Sequence, residues 1–162
     1  MSDFVRTAYS RVGREKQLYS PETGARMVAG SVALNSDKTK VIMVQSSVSK
    51  RNWVLPKGGI EVDEPDFEHT ARRETWEEAG VVGDIVKYLG VIKDSRPNSG
   101  THKPSEFHFY EMNVTELAPE YPEKEKRARG WFSYEAAYRE LELANRPELI
   151  EALKRSGIVK CS

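Results

Sequence analysis

The chain has 162 residues, 38% of them apolar and 31% charged, with 25 Lys and Arg offsetting 25 Asp and Glu. That length and mix suit one globular domain spanning 1–162, with residues 1–23 as an N-terminal arm, and exclude a low-complexity chain. The one cysteine, Cys161, excludes an internal disulfide and a cysteine-based zinc site.

No apolar run approaches the roughly 18 residues a membrane span needs. Residues 1–20 lack the apolar core of a secretory signal. The expected location is therefore cytoplasmic, with nuclear access open to so small a protein. Nothing demands a dimer, and a monomer is expected.

The polar start ends in the turn-like cluster Ser20-Pro21-Glu22-Thr23-Gly24. Residues 26–34 (RMVAGSVAL) and 41–44 (VIMV) read as strands separated by a polar turn. Residues 53–56 form a short extended piece entering the glycine turn Lys57-Gly58-Gly59. Residues 66–79 have helical length and composition, with Glu64-Pro65 at the start and Gly80 just past the end. Residues 81–92 are apolar and β-branched, hence one or two strands. After a polar loop, 106–114 and 130–132 read as strands. Ser133 is a fair N-cap for a helix over 134–143, and Pro147 opens a last helix running to about Arg155. The order predicts an α+β fold, an α/β/α sandwich with a mixed sheet between helices.

Charge is unevenly placed. Between Glu61 and Glu78 lie eight acids against Arg72 and Arg73, a net of −6 that leaves +6 to the rest of the chain. An acidic knot in a basic body suits a metal site facing an anionic ligand. Glu74, Glu77 and Glu78, spaced i, i+3, i+4, share one helix face. Three such anions repel unless a cation sits between them or water solvates them all. Oxygen ligands without His or Cys point to Mg2+ or Mn2+. A solvated glutamate-rich helix has the same spacing, so the triple alone does not decide.

The context adds Gly58, five residues, Glu64, then Arg73-Glu74-Thr75-Trp76-Glu77-Glu78-Ala79-Gly80-Val81. This resembles the Nudix box, G-x5-E-x7-R-E-U-x-E-E-x-G-U with U a bulky apolar residue. The chain departs twice: eight residues separate Glu64 from Arg73, and Thr75 stands where a bulky apolar residue is usual. The resemblance implies the Nudix fold and a Mg2+- or Mn2+-dependent hydrolysis of phosphoanhydride bonds. It implies Glu74 and Glu78 as direct metal ligands and Glu77 as a ligand or the general base. The backbone carbonyl of Lys57 or Gly58 would add a further oxygen, and Arg73 would brace the glutamates.

Outside the box, residues 23–26, 45–47, 52–59 and 106–110 resemble the diphosphoinositol polyphosphate and diadenosine polyphosphate phosphohydrolases, especially their fungal members, over about 14–157. That implies inositol pyrophosphates as substrates, with diadenosine polyphosphates and inorganic polyphosphate beside them. Phosphate contacts then fall on Arg26, Ser46, Ser47, Lys57, Lys103, Arg127 and Arg146, with Lys50 and Arg51 at the rim. Trp53, Trp76 and Trp131 read as packing residues, and His108 as a satisfied strand histidine. Two rivals remain: a Nudix enzyme acting on capped RNA (also a plausible side activity) or nucleotide sugars, and a non-catalytic sensor of phosphorylated ligands.

Overall fold

A computed structural model describes residues 4–94 and 104–160. Its elements are β1 (Arg26–Leu34), β2 (Val41–Gln45), β3 (Trp53–Val54), β4 (Lys57–Gly59), α1 (Phe67–Ala79), β5 (Val81–Lys93), β6 (Ser105–Leu117), β7 (Arg129–Phe132), α2 (Tyr134–Leu143) and α3 (Pro147–Arg155). The sheet runs β3-β2-β1-β6-β5, with β4 added to β1 and β7 to β2. Only the β1–β6 pair among these is parallel, so the sheet is mixed as expected.

β1 explains the sandwich. Its residues after Arg26 are all buried, the mark of a strand covered on both faces. Val28, Val32 and Leu34 join the larger core with Leu141 of α2 and Leu149 and Leu153 of α3. Met27 and Ala29, on the other face, pack with Ile60 and Ala71 under α1. The period-2 alternation of a strand thus sends Val28 and Val32 to one helical layer and Met27 and Ala29 to the other.

α1 begins where Asp66 caps it, its side chain accepting from the His69 amide at 2.7 Å. It ends at Gly80, whose left-handed φ of 65° lets its amide reach back to the Trp76 carbonyl. Thr75 is held by hydrogen bonds as well as by packing. It is fully buried, and its hydroxyl donates to Ala71 O at 2.7 Å and lies 2.8 Å from Ser31 Oγ.

One element differs from expectation. Lys57-Gly58-Gly59 is a strand rather than a turn, paired antiparallel with Val28–Gly30. Neither glycine has a positive φ; what each supplies is closeness. A Cβ at Gly58 would overlap the Glu74 carboxylate, and one at Gly59 the Gln17 amide oxygen. Residues 81–93 make one continuous strand, bent by irregular register near Gly83, Lys87 and Gly90. No helix among the described residues is long and apolar enough to cross a membrane.

The arm lies along the domain. Gln17 and Tyr19 form bridges to Glu61 and Arg26, and the Thr7 carbonyl accepts from the buried Trp76 indole at 3.0 Å.

Candidate active site

Arg73 organises the acidic segment. Its Nε and Nη2 donate to the two oxygens of Glu64, each at 2.9 Å, and Nη2 also reaches Gly59 O at 3.0 Å. Its Nη1 donates to Glu74 at 3.0 Å and Glu77 at 3.2 Å. One planar guanidinium therefore ties the pre-helix loop, β4 and two turns of α1 together. Burial opposes charge on Glu64, but the hydrogen bonds from Arg73 and Thr70 outweigh it and hold the carboxyl down to about 2. The extra spacer residue is absorbed in the non-helical loop before Asp66, so Glu64 still reaches Arg73 from one position early.

The three box glutamates are buried but not equivalent. Glu74 and Glu78 line a cavity of about 750 Å³; Glu77 does not. Glu77 turns toward Arg73 and the arm, accepting from the Arg11 amide at 3.1 Å. Glu78 accepts from the Lys57 amide at 3.3 Å and has Arg127 3.8 Å away. Burial, then the neighbouring Glu78, raises Glu74 well above the usual carboxylate range. Burial pushes Glu78 up to about 7 against the pull of Arg127 and Lys57. Glu77 is raised by burial, with Arg73 opposing.

A fourth acid joins them. Glu123, in the loop after β6, is buried, pairs with Arg127 at 3.0 Å and accepts from Ser10 Oγ at 2.7 Å. Its charge helps to raise Glu74, Glu77 and Glu78. Its acidic surroundings, Glu120 to Glu125, carry no periodicity that marks it in the sequence.

A hard divalent ion fits this donor set. The side-chain donors are all carboxylate oxygens, costly to ionise together, beside a glycine strand without Cβ atoms to fill the space. Among the described residues no three of these acids already converge on one point. Their oxygens are taken by Arg73, Arg127, the Lys57 amide and the arm.

The cavity also gathers most of the expected phosphate contacts. Arg26, Ser46, Ser47, Lys57, Arg127 and Arg146 all line it. Lys103 lies outside the described residues. Lys50 and Arg51 are exposed and stand off the lining. Arg14 and Gln17 of the arm, which pattern reading passed over, line it too. Gln17 fixes Arg26, accepting from its Nε at 2.9 Å. Burial, then Arg14, lowers the Arg26 pKa. Burial, then Arg146, brings Lys57 down to about 8. His108 is a satisfied strand residue, bonded to Tyr88 at 2.8 Å and Glu106 at 2.9 Å.

A glycine strand and an acidic helix facing a cation-lined cavity define a hydrolase of phosphoanhydride bonds. Residues 25–153 match the family model described as NUDIX domain, and the chain belongs to the Nudix family. It is 33% identical to Nudix hydrolase 21, chloroplastic, of Arabidopsis thaliana, over 99% of this chain and 80% of that one. It is 32% identical to diphosphoinositol polyphosphate phosphohydrolase 3-alpha of Mus musculus, over 88% and 86%. The fold is similar to that of a NUDIX hydrolase from Nitrosomonas europaea (TM-score 0.69, 14% identity, 81% and 87% of the two chains). It is also similar to that of a C. elegans Ap4A hydrolase (TM-score 0.57, 19% identity, 81% and 95%). Nudix hydrolases generally use divalent ions such as Mg2+.

Proposed function

We propose that the chain hydrolyses inositol pyrophosphates, with diadenosine polyphosphates and inorganic polyphosphate as further substrates. The observation that carries this reading is the distribution of cations. Arg14, Arg26, Lys57, Arg127 and Arg146 line the same cavity as Glu74 and Glu78. Separated cations around a compact space suit a ligand bearing phosphates on several sides. The likeness to a diphosphoinositol polyphosphate phosphohydrolase supports the same choice.

In this reading Glu74 and Glu78, with the Lys57 or Gly58 carbonyl, hold a Mg2+ or Mn2+ ion. Such an ion supplies charge neutralisation and acidifies water. Glu77, held toward Arg73 and the arm without substrate, turns into the cavity to serve as a further ligand or to take the proton of the attacking water. The water oxygen bonds to the outer phosphorus, the P–O–P bridge breaks, and the bridging oxygen leaves with the inner phosphate. Arg26, Lys57, Arg127 and Arg146 stabilise the phosphate oxygens; Ser46 and Ser47 add neutral donors.

A nucleotide-bearing substrate has one observation in its favour: Tyr19, 40% exposed, lines the cavity beside the buried Phe107. An aromatic side chain on the cavity wall suits a single stacked base, which keeps diadenosine compounds on the substrate list ahead of a two-sided clamp for an RNA cap.

The test is parallel turnover in Mg2+ of diphosphoinositol pentakisphosphate, diadenosine hexaphosphate, short polyphosphate and capped RNA. Glu77→Gln and Glu78→Gln serve as controls. We expect fastest loss of the β-phosphate from the inositol ligand, and turnover down by at least about a hundredfold in both folded variants. Preference for capped RNA, or near-normal variants, refutes the reading.

A further inference from the structure

We infer that Glu148 is a positioning residue that holds the Arg146 guanidinium with its terminal fork directed into the phosphate cavity. This rests on the reading of Arg146 as a phosphate contact. Glu148 itself is outside the lining.

The geometry is built in three parts. Asn145 takes a left-handed φ of 56°, which breaks the path from α2 to α3 and brings Arg146 to the N-cap of α3. Two residues on, Glu148 accepts from Arg146 Nε at 2.6 Å, its own side chain 0% exposed. The Phe107 ring, also part of the lining, lies 6.0 Å from the guanidinium.

Two features set this pair apart from an ordinary ion pair. First, Glu148 Oε2 is buried with no hydrogen-bond partner among the described residues. Stability alone disfavours a buried carboxylate with an orphan oxygen; a constraint on Arg146 accounts for its retention. Second, the bond uses Nε only. Among the described residues no protein group takes the two terminal nitrogens of Arg146. That leaves both for two oxygens of one phosphate.

The clamp is needed because the cavity repels its own cations. Arg146 acts on Lys57, and Arg26 acts on it too. An unheld arginine on a flexible stem would swing away from them into solvent, and substrate would have to reorder it. Glu148 removes that freedom before binding.

The experiment combines KM and kcat for diphosphoinositol pentakisphosphate in Mg2+ with the calorimetric Kd for inorganic tripolyphosphate. The variants are E148A, E148Q, R146A and the R146A/E148A double mutant. In E148A we expect KM and Kd to rise about tenfold, with kcat within about twofold of wild type. E148Q, which keeps the Oε1 acceptor, should recover most of that loss. In the R146A background, E148A should add nothing, since the group it positions is gone. Should E148A unfold, E148D carries the test: charge is kept, the acceptor is withdrawn by one carbon, and KM must still rise. Penalties that multiply in the double mutant, or E148Q no better than E148A, overturn the inference. R146A with unchanged KM and Kd refutes the Arg146 contact and the inference with it. R146A impaired beside normal E148A and E148D refutes the positioning alone. A wild-type chain that does not bind tripolyphosphate refutes both.

Discussion

Glu64 and Glu78 belong to one short segment, yet their surroundings drive their carboxyls in opposite directions. Both are buried. Glu64 is met by Arg73 through two hydrogen bonds and goes down to about 2; on Glu78 burial, with Glu123 behind it, outweighs Arg127 and Lys57 and takes the carboxyl up to about 7. The first is a structural brace, the second a group waiting for positive charge. Between its ordinary 4.5 and about 7, folded Glu78 keeps a proton that the unfolded chain has released. Rising pH through that window therefore weakens the metal-free fold and frees the oxygen for a cation. We expect Mn2+ affinity, read by calorimetry, to strengthen by up to about tenfold per pH unit below about 7, then level off. Added Mg2+ should raise Tm more at about pH 8 than at about pH 5, and chelation should reverse it. Affinity flat across that range would contradict the assignment of Glu78 as a ligand.

β4 and α1 work as a pair. The strand brings backbone where side chains would otherwise stand, and the helix fills the space with carboxylates. Gly58→Ala tests this pairing. The backbone there is ordinary extended strand, so pairing with β1 survives; the new methyl group displaces the Glu74 carboxylate from Arg73. We expect a folded variant destabilised by no more than about 1–3 kcal/mol. Its turnover should fall at least about tenfold, with weaker Mn2+ binding. Normal metal binding and turnover in that variant would show that Glu74 has room to move without consequence. The arm belongs to this scale as well. Ser10 and Arg11 engage Glu123 and Glu77, so the first segment of the chain covers acids from the loop after β6 and from α1.

Over the whole molecule, formal charge cancels while its distribution does not. The acidic segment lies on one wall of the cavity, and cations from the arm, β1, β4, the loop before β7 and the start of α3 line the rest. A polyanion thus meets an attractive mouth on a neutral protein, and that attraction is screened by salt. At constant Mg2+, a roughly tenfold increase in NaCl should raise KM several-fold and leave kcat nearly unchanged. A KM insensitive to salt would argue that the cations bind one another's counter-charges rather than substrate.

What the sequence by itself determined is whatever depends on neighbours along the chain. The 3.6-residue period set Glu74, Glu77 and Glu78 on one helix, Gly80 marked its end, and the apolar run 26–34 announced a strand. The box also announced the family. Tertiary structure alone decided which acids face the cavity, that Glu123 joins them, that Glu64 closes on Arg73 despite its shifted spacing, and that Arg14 and Gln17 reach in from the arm. It also turned an apparent glycine turn into a strand, because the partner that makes it one, Val28–Gly30, lies nearly thirty residues earlier. The division has one physical cause. Helix faces and caps are fixed by bonds over three or four residues. A cavity wall is made of groups brought together across the sheet, and their spacing in the sequence carries no trace of that meeting.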